Sequence, residues 1–334
     1  MPTTVPSPLS ISNFKTMKKF LLHFLLFSCI LYALAWCIDN YVSRKMASLS
    51  SSPFANWNDI YRQQLNSDVL IMGSSRAYVQ FNPRILDSIL HVNSYNLGCN
   101  GRPVDAQLVK YRIFRQKQHT KPRLIIYELY PGSMDTSNRY EKIQFLPHLH
   151  DPRLWAATHT LEQFSLADGF IPCWRFLNYK KDILAILNGK SYFCQPENTL
   201  YKGFLDYDKS WDGSALAKID TIYHQKNPQI IKQFEQFLDE CERDSIRVVF
   251  VMAPYYIGAT RKMHDAEGMR RMFHQLAAPR DIPVLDYTHD ILCYDTAYFY
   301  NATHLNRTGA TLFTTQLAHD IDSLGFAPSS PHTP

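Results

Sequence analysis

Five apolar runs, each too short to make a helix of its own, set the main constraint on how this chain folds. They read "SDVLIMG" (67–73), "NSYNLGCNG" (93–101), "PRLIIYELYPG" (122–132), "IRVVFVMAP" (246–254) and "IPVLDY" (282–287). Short runs rich in Val, Ile and Leu that stop at Gly or Pro fit strands buried on both faces. Helical patterns separate them. "NPRILDSIL" has Asn82 as a natural N-cap and Pro83 in its first turn, where a missing N–H costs nothing. "PVDAQLVKYRIFRQ" and "NRTGATLFTTQLAHDI" are further helices. Buried strands alternating with helices predict an α/β fold, a parallel sheet covered on both faces.

The chain has 334 residues, 46% hydrophobic and 19% charged, enough for one large domain or two small ones with a sizeable core. A net charge of +5, scattered and without a run of five or more basic residues, gives no argument for a nucleic-acid partner. Seven cysteines contain no CxxC pair, which argues against zinc, and an odd count argues against a full disulfide framework. A single bridge between Cys173 and Cys194 stays open if the domain lies in an oxidising compartment.

Residues 15–38, "KTMKKFLLHFLLFSCILYALAWCI", place Lys15, Lys18 and Lys19 before an uncharged run from Phe20 to Ile38. About 19 residues at 1.5 Å per residue cover a hydrocarbon core of roughly 30 Å. The preceding lysines predict a cytoplasmic N-terminus and a translocated main domain, with Trp36 and Tyr41 at the far interface. A cleaved signal peptide is the competing reading, because Ala33 and Ala35 form an A-x-A pattern. The apolar run continues past that pattern through Trp36, Cys37 and Ile38, which favours an uncleaved anchor.

The expected organisation is a disordered cytoplasmic tail (1–14), the anchor (15–38), a stalk (39–66), the main domain (67–325) and a second disordered tail (326–334). Residues 133–235 break the strand–helix rhythm. They are rich in aromatic residues and read as an insertion forming one wall of a site.

Gly73-Ser74-Ser75-Arg76 ends the first run, where open parallel sheets bind ligands. A serine at a tight strand-to-helix turn presents its hydroxyl outward with backbone N–H groups nearby. Taken alone, the tetrapeptide is more often a polar helix cap. Two further blocks change that balance: Gly98 after the second run, and His304 in "YNATHLNRTGA" after the fifth.

These three blocks resemble the SGNH/GDSL hydrolases, and more narrowly their membrane-anchored, extracytoplasmic bacterial members whose first block reads G-S-S-R-A. The resemblance covers roughly residues 66–325. It implies a three-layer α/β/α sandwich of the flavodoxin-like kind with strand order 2-1-3-4-5. It implies Ser75 as nucleophile, Gly98 as an oxyanion donor, and a D-x-x-H block at Asn301-Ala302-Thr303-His304, with His304 the general base. Two positions depart from the pattern. The third run ends "YELYPG" without the family's oxyanion Asn, a place Asn100 can take. Asn301 stands where the family has an aspartate, so Asp295 and Asp286 are candidates for the missing acid. Arg76 and Glu128, at neighbouring strand ends, are expected to pair, either bracing the turn or binding an anion.

His148, His150 and Asp151 resemble a metal cluster but lack a further partner in sequence, and read as surface residues. Trp155, Trp174, Phe176 and Trp211 read as core of the insertion or as a platform for sugar rings. The sequons at Asn301 and Asn306 fall on the candidate site and are discounted as glycosylation sites. Two functions follow as expectations. One is a serine esterase or O-acyltransferase needing no metal or organic cofactor, acting on an acylated glycan or lipid of the envelope, with a membrane acyl-donor protein as a candidate partner. The other is a non-catalytic binding or assembly subunit of the same fold.

Overall fold

We describe a computed structural model of the chain covering residues 9–62, 65–100, 104–135, 141–161, 164–189, 200–214, 216 and 220–326. The strands along the described residues are β1 (Val69–Met72), β2 (Ser94–Asn96), β3 (Leu124–Glu128), β4 (Leu200–Tyr201), β5 (Phe204–Leu205), β6 (Arg247–Met252), β7 (Val284–Asp286), β8 (Phe299–Asn301) and β9 (His304–Leu305). The helices are α1 (Leu9–Ala47), α2 (Ala55–Arg62), α3 (Ser75–Gln80), α4 (Pro83–Leu90), α5 (Val104–Lys117), α6 (Pro152–Thr160), α7 (Leu166–Phe170), α8 (Lys180–Leu187), α9 (Pro228–Arg243), α10 (Ile257–Thr260), α11 (Ala266–Ala277) and α12 (Arg307–Ser323).

The five apolar runs form one parallel sheet in the order β2-β1-β3-β6-β7. The expected order, 2-1-3-4-5, counted only five strands along the chain. The observed numbering differs because the insertion contributes the separate β4–β5 hairpin before the sheet resumes at β6. Alternate strand residues point to opposite faces. Leu70, Met72, Ile125, Tyr127 and Phe250 join one hydrophobic cluster, with side chains of α2, α5, α9 and α11. Val69, Ile71, Ile126, Val249 and Val251 join another, with side chains of α3, α4 and α12. Burying an aromatic or aliphatic side chain of this size contributes about 1.5–3 kcal/mol, so these two clusters hold the domain. The chain leaves β1 toward β2 on one side and β3 lies on the other, which opens a crevice beyond their carboxyl ends.

Asn82 caps α4 through its side chain, with Pro83 at the first position, as the sequence predicts. Three boundaries differ from expectation. Helix α1 begins at Leu9, inside the expected tail, and runs on to Ala47. Within it, Lys15–Ala47 is long and apolar enough to cross a membrane. The expected stalk is not a spacer: Val42, Met46, Phe54, Trp57 and Ile60 are core residues. Two of its asparagines spend their amide N–H groups on backbone carbonyls, Asn58 on those of Met46 and Leu49 and Asn56 on those of Asn96 and Gly98. The insertion also ends earlier than expected, since α9 starts at Pro228 and packs Phe234 on Tyr127. Cys194 lies outside the described residues. Cys173 is a free thiol.

Candidate active site

Gly73 carries the turn out of β1. Its φ is +145°, and a Cβ there would lie 2.7 Å from Glu128 Cβ and 2.9 Å from Ala77 Cβ. Only glycine fits, because the backbone passes against β3 and α3 at once. The two serines that follow have different duties. Ser74 is the N-cap of α3 and accepts from the Arg76 N–H. Its own N–H and hydroxyl both donate to Glu128 Oε2, at 3.1 and 2.9 Å. Ser75 is the first helical residue, and its Oγ lies 2.8 Å from His304 Nε2.

His304 is delivered by a hairpin, not by a free loop. β8 and β9 pair antiparallel with Asn301 opposite His304. That tight turn explains why a spacing of three residues places the Asn301 amide on the imidazole: Asn301 Oδ1 is 3.0 Å from His304 Nδ1. Asn301 Oδ1 also accepts from the Thr303 N–H at 3.0 Å, which identifies the atom as the amide oxygen. Nδ1 therefore carries the ring proton and Nε2 is free to accept from the Ser75 hydroxyl. Thr303 Oγ1 is a further neighbour of Nδ1, at 3.0 Å. "LNRTGA" anchors the hairpin to α12. Asn306 caps the helix by accepting from Gly309 N–H and ties its amide to the Ala297 carbonyl. Gly309 lies against the Tyr298 carbonyl, where a Cβ would sit 2.3 Å away. Tyr300 stacks on His304, and Tyr207 of the insertion stacks on Tyr300.

The His304 pKa is pushed down to about 3, first by loss of hydration and second by the nearby Arg76 charge. The ring is thus neutral at ordinary pH, the form a general base needs. Arg76 and Glu128 are both buried and face each other at 3.3 Å. Arg76 also donates to the Ala253 and Pro254 carbonyls at 2.7 and 2.9 Å and lies over the Tyr255 ring. The pair joins the ends of β1, β3 and β6 under the site. Burial raises the Glu128 pKa, against the opposing pull of Arg76 and Ser74.

Four candidates from the sequence do not join this group. The Gly98 N–H is donated to Asn96 Oδ1 at 2.8 Å, so it is already spent. Gly98 and Asn100 line a neighbouring cavity with Lys110 and Glu141, and the Asn100 amide contacts Glu141. Asp295 caps the following turn by accepting from Ala297 N–H. Asp286 pairs with Arg270 and accepts from Thr288. The group facing the far nitrogen of His304 is Asn301, with Thr303 beside it.

Two residues at the site escaped the sequence reading. A cavity of about 110 Å³ is lined by Ser75, Arg76, Tyr130, His224, Tyr255 and His304, among others. The His224 side chain is only 3% exposed, and its Nδ1 lies 2.8 Å from Asp135 Oδ2. Its Nε2 is buried with no hydrogen-bond partner among the described residues. A buried polar atom left open in this way costs about 1–3 kcal/mol. Asp135 follows β3 closely, in "GSMD", and that position was the available signal; His224 in "IYHQ" carried none.

The remaining candidates have local duties. His148 sits 2.7 Å from Asn58 Oδ1 and stacks on Tyr61, His150 faces Asp39, and Asp151 caps α6 and pairs with Lys117. Trp155 packs on His159 and Phe170, Phe176 is buried, Trp174 is exposed, and Trp211 packs on Tyr256. They do not make one flat platform. No family model matches the chain, and no curated protein matches it.

Proposed function

We propose that the chain is a membrane-anchored serine esterase or O-acyltransferase of the SGNH/GDSL type, acting on an acyl ester of an envelope glycan or lipid. The observation that carries this reading is the hydrogen-bonded series Ser75–His304–Asn301 at the carboxyl end of β1. The two hydrophobic clusters on opposite sheet faces fit the α/β/α sandwich of that superfamily. The three lysines before the apolar part of α1 favour a cytoplasmic N-terminus and an extracytoplasmic domain.

In this mechanism Ser75 Oγ attacks the ester carbonyl while its proton passes to His304 Nε2. The developing oxyanion takes the Ser75 backbone N–H, a donor left free at a helix start. Collapse breaks the acyl–oxygen bond, and His304 returns the proton to the departing alkoxide. Water or a sugar hydroxyl then repeats the sequence in reverse on acyl-Ser75, giving an acid or a new ester. With Nδ1 held on Asp135, His224 has its unpartnered Nε2 left to hydrogen-bond a hydroxyl of the bound alcohol. A cavity of about 190 Å³ shares Arg76, Tyr255 and Met263 with the site and is walled by Leu129, Met252 and Phe273. It suits a short acyl chain.

A second reading, a non-catalytic binding or assembly subunit, is favoured by the amide at Asn301. An amide orients imidazole but lacks the charge that stabilises imidazolium, a loss of about 10⁴ in kcat in serine proteases. A fluorophosphonate probe separates the two. Labelling that disappears in Ser75→Ala supports catalysis, and a folded wild-type protein that takes no label rules it out.

A further inference from the structure

Large apolar side chains exposed to solvent are unevenly spread over the domain. Outside α1, seven of the twelve exposed ones among the described residues fall between Leu166 and Leu187. Leu166, Phe170 and Leu184 are 62%, 65% and 59% exposed, and Ile171, Trp174 and Leu177 are 49%, 47% and 46% exposed. Single exposed apolar residues need no explanation, but a contiguous group marks a binding face.

This group is fastened to α1 at a defined height. The Tyr32 hydroxyl donates to the Phe170 carbonyl, the Cys173 thiol meets the Ala35 carbonyl at 3.3 Å, and the Cys173 N–H donates to Asp39 at 2.7 Å. Arg175 pairs with Asp39 and donates to Ser43, and α8 packs along α1. The segment therefore descends α1 in register, from Asp39 down to Tyr32. Seven residues at 1.5 Å make that descent about 10 Å. Tyr32 lies inside the uncharged run Phe20–Ile38, about 9 Å below its upper end by the same rise. A segment held there is at the depth of an interfacial helix, about 5–10 Å into the headgroup and acyl boundary. Trp174 suits that zone, and exposed Lys180 and Lys181 open α8 where anionic headgroups would lie.

We infer that α7, the turn Trp174–Tyr179 and α8 form a membrane-seating platform, whose occupant is the lipid of the leaflet that α1 traverses next to the domain. Continuity with α1 is what selects lipid over another protein: the same bilayer that surrounds Tyr32 surrounds Phe170. Two rigidly joined contacts, one spanning and one interfacial, fix the tilt of the domain and the height of the Ser75 cavity above the membrane. The inference rests on α1 crossing a bilayer and is independent of the chemistry at Ser75.

The test uses the full chain in nanodiscs whose phosphatidylcholine carries brominated acyl chains, which quench tryptophan by contact. The Trp36 and Trp174 signals are isolated as differences from Trp36→Phe and Trp174→Phe. We expect both to lose at least half their intensity, with Trp211, packed on Tyr256 at the far cluster, unaffected. Leu177→Asp together with Leu184→Asp, both at exposed positions, should remove most of the Trp174 quenching and leave that of Trp36. Quenching of Trp36 with an unquenched Trp174 overturns the platform and assigns the face to a second copy or another protein. Absence of quenching at both tryptophans overturns the spanning of α1 and the platform with it.

Discussion

Asn301 Oδ1 lies 3.0 Å from His304 Nδ1, opposite the contact that His304 makes with Ser75. An amide thus occupies the place where a triad has its carboxylate, in the geometry a carboxylate would use. Asn301→Asp should place a charge there without moving the ring. We expect turnover of an activated ester to rise at least tenfold, a fraction of the roughly 10⁴ a carboxylate contributes in serine proteases. A collapse of activity would show that the chemistry requires the amide.

The low His304 pKa sets the pH behaviour. Its folded value of about 3 lies below the ordinary 6.5. The base stays unprotonated, so kcat/KM should keep its value down to about pH 4. A pH–rate profile with an acid limb near 6.5 would contradict this. Stability has the opposite sensitivity. The unfolded chain binds the proton below 6.5 and the folded chain does not until about 3, so stability falls as pH drops through that window. His304→Ala should therefore lose less Tm between pH 7 and pH 4 than the wild type.

Arg76 and Glu128 are buried together, and removing one leaves the other charged in a dry site. Glu128→Leu should cost about 3–5 kcal/mol in denaturant unfolding. Arg76→Met in the same chain should recover much of that loss, since an apolar pair leaves no orphaned charge. Failure of the double variant to recover would mean that the Arg76 contacts to Ala253 and Pro254 hold the three strand ends by themselves.

His224 serves the bound alcohol in the proposed reaction, not the nucleophile. His224→Ala should raise KM for a hydroxyl acceptor about tenfold or more, the worth of one buried hydrogen bond of about 1.4 kcal/mol. Labelling of Ser75 by a small phosphonate should stay within about twofold. Asp135→Asn, which releases the ring, should follow the same pattern. Equal loss in both assays would place His224 in the structure of the cavity alone.

Much of this arrangement is legible in the sequence where local chemistry decides. The runs ending at Gly73 and Pro254 are short, bounded and apolar, so they form strands. Asn82, followed by Pro83, is a cap whose partner lies two residues away. The missed features are those decided by distant contacts. The segment 39–66 reads as a stalk, yet Asn56 and Asn58 spend their amides on buried carbonyls, a use that composition cannot reveal. Gly98 looks like an oxyanion donor until the Asn96 side chain, two residues back, takes its N–H. Asp135 and His224 stand 89 residues apart within the insertion, with no spacing rule to join them.

A covalent intermediate on Ser75 is measured most directly as the mass of the protein caught during turnover. The full chain would be mixed with an activated short-chain aryl ester, quenched in acid and digested. We expect an acyl adduct on the peptide containing Ser75, absent from Ser75→Ala and from His304→Ala and present in Ser74→Ala. A folded wild-type protein that forms no adduct, or one acylated at another residue, would contradict it.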